Sequence, residues 1–342
     1  MLFTISEPCQ IFLYFNNPLH EKLFDSSAVK QSYNLNNRFV WDQVWLPQAL
    51  KKDHIDITLF LKGTIPVLHS GHSAVIFHDL GYFDNVLRPY RVPDTLYMKK
   101  MMPKAARDAS IIFTVSEYTR KEALRIFNPD PRKIKVCYQN CSPIFEPVID
   151  QQKRGLIRNR YHLPEKFIFC PISISPRKNL SRILAAFDKI KDKISHDLVI
   201  TGGQSSKEKK LMYRITSGFY PRVHVLGNVP YEDMPGLYSL ADFAIYPSLL
   251  EGFGMPVLEA FRCDCPILTS NITSIPEVAG EAAYLVDPYD TDQIAHGMLM
   301  LATDSSLRQM LIIKGRRQAK IFSWEKTARI ILDSLQSDNV QH

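Results

Sequence analysis

Long hydrophobic runs are missing from this chain: among its 342 residues no window holds the roughly 18 uninterrupted apolar residues that a membrane span needs. The opening stretch, MLFTISEPCQ, has neither the basic flank nor the long apolar run of a secretory signal, so a cytoplasmic location is expected. Cysteine is scarce. Six are present, and neither Cys137/Cys141 nor Cys263/Cys265 is joined by a second Cys or His pair at zinc-ligand spacing. Buried free thiols in a reducing compartment are the expectation, with no bound metal. No G-x-G-x-x-G occurs, which leaves a dinucleotide oxidoreductase without support. Low-complexity tracts and internal repeats of roughly 20 to 50 residues are absent too, and 45% hydrophobic with 23% charged residues describes an ordinary globular protein.

The chain is longer than one hydrophobic core usually organises, so two domains are expected, 1–155 and 156–324, with a last helix near 325–342 packing back on the first. Short β-rich runs alternate with amphipathic stretches, the pattern of parallel sheets covered by helices. Strands are predicted at Ile11–Phe15, Ile55–Phe60, Ser73–Phe77, Ile111–Val115 and Ile134–Tyr138. A second set follows at Phe167–Cys170, Leu198–Thr201, Val223–Leu226, Phe243–Tyr246, Ile267–Thr269 and Ala283–Val286. Leu180, Ile183, Leu184 and Phe187 form one helical stripe, and Ala328, Ile331, Leu332 and Leu335 another. From Ser142 to Pro164 no stripe persists, which marks this stretch as the linker.

The stretch YPSLLEGFGMPVLEAFRCDCPIL, Tyr246 to Leu268, combines a strand end, a glycine-bearing loop and a helix start. Gly252 and Gly254 allow a tight turn and close approach to a ligand. Pro256 suits a first helical position, with Glu259 on the first turn and unpaired amides from Phe253 through Met255 to Val257. Such a helix entrance attracts phosphate or sugar hydroxyls. A carboxylate at Glu259 can accept both hydroxyls of a ribose, while Glu251 lies in the loop ahead of the helix; helix capping is the plainer use of both acids. In SISPRKNLSRILAAF a strand runs into Arg177 and Lys178, the place where open parallel sheets bind ligands. Two cations at the positive end of a helix dipole call for an anion such as a diphosphate, the alternative being a solvated basic turn. His78 and Asp79 end the strand HSAVIFHDL, where a core or surface role for the histidine and a turn cap for the aspartate are the plainer readings.

PRKNL, GNVPYEDMPGLYSLADFAIYPSLLEGFGMPVLEA and SIPEVAGEAAYLVDP, in that order, resemble the retaining glycosyltransferases of family 4, over about Gln10 to Trp324. The resemblance implies an α/β GT-B fold: two Rossmann-like, doubly wound parallel-sheet domains facing across a cleft. It implies that Arg177 and Lys178 bind a donor diphosphate, and that Glu259 binds the ribose. Glu251, with the amides of Phe253, Gly254 and Met255, would hold the transferred sugar. Asn228, in the turn GNV, would lie nearest the base, and His78 would contact the sugar near the reacting carbon. Ser116 in TVSEYTRKEALRIF caps a helix. The family precedent is retention without a protein nucleophile, the leaving phosphate taking the acceptor's proton; with no metal cluster apparent and an Arg-Lys pair able to neutralise the diphosphate, no metal or other cofactor is expected.

The sequence departs from the family at two points: nothing like the usual opening β-α unit precedes PCQIFLYFNN, so the first domain reads as shortened, and Pro171 and Ile172 stand where a glycine often follows the strand. SNITSIPEVAGEAAYLVDP is most similar to bacterial mannosyltransferases of polysaccharide assembly, implying GDP-mannose as donor and a saccharide or lipid-linked saccharide acceptor. Between Lys99 and Lys135 ten Lys/Arg face four acids, a basic segment suited to an anionic membrane surface or to plain solvation. No nucleic-acid partner is expected. A non-catalytic sugar-nucleotide-binding or scaffold protein of the same fold, and a GT-B epimerase or phosphorylase, are the other readings.

Overall fold

The computed structural model describes residues 10–17, 28–33, 37–173, 175–202 and 209–339. Strand β1 (Phe12–Phe15) pairs in parallel with β2 (Val29–Ser32) as a small sheet of its own. Tyr14 Oη and Gln31 Nε2 both donate to Asp53 Oδ2, at 2.7 and 2.6 Å, tying that pair to the turn before β3. The strand expected at Ile11–Phe15 therefore stands outside the main sheet, and its partner VKQS is too polar to register as a strand.

The first domain continues with β3 (Ile57–Phe60), β4 (His72–Phe77), helix α1 (Val92–Asp108), β5 (Ile111–Thr114), helix α2 (Glu117–Phe127) and β6 (Ile134–Val136). The four strands are parallel and run in sequential order. Alternation along β4 shows why its last four residues, 74–77, are apolar without interruption. Ala74 and Ile76 join the large core shared with the second domain, whereas Val75 and Phe77 face Met98 and Met102 of α1. A strand covered on both sides has no polar face to keep.

Helix α3 (Gln151–Arg160) occupies much of the stretch read as linker. It carries no buried residue, so it shows no stripe. Its stability comes from its ends and one knob: Asp150 Oδ1 accepts from the amides of Gln152 and Lys153, Arg154 Nη1 donates to Ser239 O at 2.9 Å, and Ile157 fills the space left by Gly236.

The second domain comprises β7 (Phe167–Cys170), helix α4 (Leu180–Ile190), β8 (Asp197–Thr201), β9 (Val223–Gly227), β10 (Phe243–Tyr246), helix α5 (Met255–Arg262), β11 (Ile267–Ser270), helix α6 (Ile275–Ala279) and β12 (Tyr284–Val286). Its six parallel strands are ordered β12-β11-β10-β7-β8-β9. Strand order reverses between β7 and β10, so the loops leaving those two strands open a crevice at the carboxyl edge. The stripe Leu180, Ile183, Leu184 and Phe187 has 0–2% exposure; each such side chain contributes at most roughly 1.5–3 kcal/mol of burial, holding α4 and the turn before it against the sheet. Helix α7 (Trp324–Asn339) returns to the first domain, where Trp324 Nε1 donates to Cys141 O at 3.2 Å and Thr327 Oγ1 donates to Tyr138 O. Cys137, Cys141, Cys170, Cys263 and Cys265 are all buried free thiols.

Candidate active site

Both loops at the strand reversal deliver charge to one point. After β7 a turn of 3₁₀ helix, Pro176–Lys178, ends at Asn179 with φ 62°, a left-handed conformation that asparagine tolerates. Asn179 Nδ2 donates to Pro247 O at 3.0 Å and Pro288 O at 2.7 Å, which fixes the turn and drives Lys178 inward. After β10 the chain runs to Glu251. Its Oε1 accepts from Lys178 Nζ at 2.7 Å, Arg177 Nη1 at 3.0 Å and Tyr246 Oη at 2.7 Å. Lys178 Nζ also reaches Tyr246 Oη. Burial pushes the Glu251 carboxyl up, but Lys178 and then Arg177 more than offset it and hold it below the usual carboxylate range. Burial likewise lowers Lys178, with Glu251 opposing. Among the described residues no donor meets Glu251 Oε2, so one carboxylate oxygen is spent on the cations and one is left for a ligand.

The glycine loop is fastened by its carbonyls. Ser274 Oγ lies 3.1 Å from Glu251 O and 2.9 Å from Phe253 O. Gly254, at φ 109°, precedes α5, where a Cβ would come within 2.5 Å of Ile275 Cδ1. Helix α5 begins at Met255, one residue earlier than Pro256, which puts Glu259 in its second turn and not its first. Glu259 is 8% exposed and accepts from Tyr238 Oη at 2.8 Å through Oε2. Burial raises its carboxyl to about 7, against smaller opposing effects of Tyr238 and Lys178. Val257 does not fit the binding role expected of it. Its amide donates to Gly254 O at 2.9 Å and its side chain is wholly buried, so it belongs to the core.

Asn228 is exposed just beyond the end of β9, the strand next to β8. Tyr231, in the same loop, lies within electrostatic reach of Glu259, which places this loop on the Glu259 side of the crevice.

From the first domain, His78 is exposed at the end of β4 with both ring nitrogens engaged: Nε2 donates to Leu61 O at 3.0 Å and Nδ1 accepts from Gln139 Nε2 at 3.2 Å. A sugar hydroxyl has to displace one of these partners or meet a turned ring. Asp79 is structural, its Oδ1 accepting from Gly81 N at 2.9 Å and its Oδ2 from Tyr90 Oη at 2.6 Å. Arg177 and Lys178 both feel the Asp79 charge, so the two domains face one another across this point. Gly252 is where they touch: a Cβ there would overlap the His78 carbonyl oxygen. Ser116 accepts from Thr119 N at 3.0 Å as the cap of α2.

Gln139, Tyr246, Tyr238, Ser274 and Tyr90 carry no sequence signal of their own; each is a lone polar side chain whose role depends on what the fold places beside it. The four acids of the basic segment offset fewer than half of its ten Lys/Arg. All four of its acids are paired, Asp108 with Lys104 and Arg107, Glu117 with Arg120, Glu122 with Arg125 and Asp130 with Arg132. Lys100, Lys121 and Lys135 remain exposed.

Two parallel α/β domains closing on a charged strand-reversal point define the GT-B architecture. The chain belongs to the group 1 glycosyl transferases: that family's profile matches residues 156–318. It is similar to the O-antigen chain mannosyltransferase B of Escherichia coli, 32% identical over 257 residues that make up 74% of this chain and 67% of the relative. It is also similar to the serotype-specific mannosyltransferase WbdA of Escherichia coli, 29% identical over 247 residues, of whose length the match spans 30%. Among solved structures, a glycosyltransferase from Rickettsia africae superposes with a TM-score of 0.76 at 17% identity, covering 97% of this chain and 91% of that one.

Proposed function

We propose that the chain transfers a hexose, with mannose from GDP-mannose as the favoured case, to a saccharide or lipid-linked saccharide acceptor with retention of configuration. The observation that supports this reading is the convergence of Arg177, Lys178 and Tyr246 on one oxygen of Glu251 at the strand reversal. That oxygen holds the place of a diphosphate oxygen. When a nucleotide sugar arrives, its diphosphate takes over the two cations, and Glu251 turns to the sugar hydroxyls together with the amides of Phe253, Gly254 and Met255. Glu259 accepts the ribose diol, and the Asn228 loop meets the base.

The bond between the anomeric carbon and the diphosphate oxygen breaks with both electrons leaving on that oxygen. Arg177 and Lys178 stabilise the charge, and the departing phosphate accepts the acceptor's hydroxyl proton as the new glycosidic bond forms. Closure of the first domain excludes water as a competing acceptor. The cation pair does the neutralising, so the reaction proceeds without a metal. Among the described residues no helix is long and apolar enough to cross a membrane; an anionic membrane surface is reached through Lys100, Lys121 and Lys135.

Thermal-shift screening with GDP, UDP, ADP and their sugars tests the reading, since a ligand that binds only the folded state raises its melting temperature. GDP and GDP-mannose are expected to give the largest shifts. A protein indifferent to every nucleotide would overturn the proposal, and one that binds donor without ever releasing nucleotide is a binding protein instead of an enzyme.

A further inference from the structure

The first turn of α2, in the first domain, is bound to the glycine loop of the second. Ser116 Oγ donates to Gly252 O at 2.6 Å and Thr119 Oγ1 donates to the same oxygen at 3.0 Å, with both side chains at 0–1% exposure. The docking is reinforced from the other side. Glu277 of α6 accepts from the amides of Glu117 at 2.7 Å and Tyr118 at 3.2 Å, one carboxylate oxygen to each. A carboxylate on the opening amides of a helix meets the positive end of its dipole, so this contact is charge-assisted.

The peptide between Gly252 and Phe253 is trans, so its C=O and N–H point in opposite directions. Fixing Gly252 O towards α2 therefore fixes Phe253 N–H away from it. Ser274 does the same for the flanking peptides from within the second domain, through Glu251 O and Phe253 O. Of the three successive peptides, the middle one alone is oriented by groups from the other domain.

We propose that Thr119 and Ser116, braced by Glu277, are positioning residues that aim the Phe253 amide at the sugar of a nucleotide-sugar donor. The proposal rests on reading the second domain as the donor site. Its consequence is a division of labour. The grip on the nucleotide, through Glu259, Arg177 and Lys178, lies within the second domain, whereas the grip on the sugar is complete only while the first domain is docked. Once the sugar has been transferred, undocking costs the remaining nucleoside diphosphate nothing at this point.

The test is calorimetric titration of the full chain with GDP-mannose and GDP, and with UDP-glucose and UDP, alongside steady-state kinetics with the donor that binds. Thr119→Val keeps the side-chain shape and leaves the Ser116 cap intact; Glu277→Gln removes the charge on the brace. In both variants GDP affinity is expected to stay within about twofold of wild type, while GDP-mannose affinity and kcat each fall about five- to tenfold, the size of one lost hydrogen bond. Thr119→Ser, which restores the hydroxyl, is expected to recover both. A variant that weakens sugar-bearing and sugar-free nucleotides equally, or neither, overturns the positioning role while leaving the donor site standing. A wild-type chain that binds none of the four ligands overturns the donor site and the positioning role with it.

Discussion

Glu259 offers a prediction in which stability and binding move in opposite directions with pH. Burial raises its carboxyl from 4.5 to about 7, so the folded chain keeps this proton where the unfolded chain has already lost it. A gap of that size corresponds to roughly 3 kcal/mol. The sign follows from linkage: the contribution is fully present below 4.5 and is lost as pH climbs through 7, so the free protein carries the cost of an ionised buried carboxylate at pH 8 and not at pH 4. Glu259→Gln imitates the protonated group and is expected to melt several degrees above wild type at pH 8, with little difference at pH 4.5. Binding runs the other way. A ribose diol donates, and the ionised carboxylate is its acceptor, so wild-type affinity for GDP-mannose is expected to weaken by about tenfold for each pH unit below 7. The sugar diphosphate is a diester with no ionisation in that range. The assays are differential scanning fluorimetry and calorimetric titration from pH 5 to pH 8.5, each on wild type and Glu259→Gln. If the two proteins share one pH profile in both measurements, the buried, diol-accepting role of Glu259 is refuted.

Lys178→Ala is expected to lower kcat about a hundredfold or more while changing donor affinity less, as the loss of a charge that acts chiefly on the departing diphosphate; steady-state kinetics read the split. Gly252→Ala places a methyl on the His78 carbonyl oxygen, so the domains are expected to stand apart, seen as an increased radius of gyration in small-angle scattering together with loss of transfer. Activity is expected to survive an excess of EDTA unchanged under the proposal that Arg177 and Lys178 take the place of a divalent ion; inhibition reversed by added magnesium would contradict that. Sedimentation with vesicles containing anionic lipid is expected to be salt-sensitive and to weaken about fivefold for each of Lys100, Lys121 and Lys135 changed to Gln, from roughly 1 kcal/mol per lysine.

What was legible in the sequence is what a short range of residues determines. The buried strands of both domains announce themselves because burial on both faces leaves uninterrupted apolar runs, and α4 because its stripe is continuous. Arg177, Lys178, Glu251 and Glu259 are legible as motifs, and the fold brings Arg177 and Lys178 onto one oxygen of Glu251. Helix α3 is illegible for a physical reason: it is held by an aspartate cap, an arginine to a distant carbonyl and one isoleucine set against a glycine, none of which is periodic. β2 is equally hidden, its pairing with β1 depending on an aspartate twenty-two positions from Gln31. The interdomain bonds of Ser116, Thr119 and Glu277 join residues more than a hundred positions apart, and no local pattern carries them. The expected binding role of Val257 failed because helical hydrogen bonding claims its amide before a ligand can.

One direct measurement tests whether a nucleotide sugar is held and cleaved at the reversal between β7 and β10. ³¹P NMR of the purified chain incubated with GDP-mannose, with no acceptor added, reads both events in one tube. Broadening of the donor's diphosphate resonances and slow growth of free GDP, much slowed in Lys178→Ala, is the predicted result. Sharp, unchanged donor resonances throughout, or release of GDP at the same rate in the variant, would contradict it.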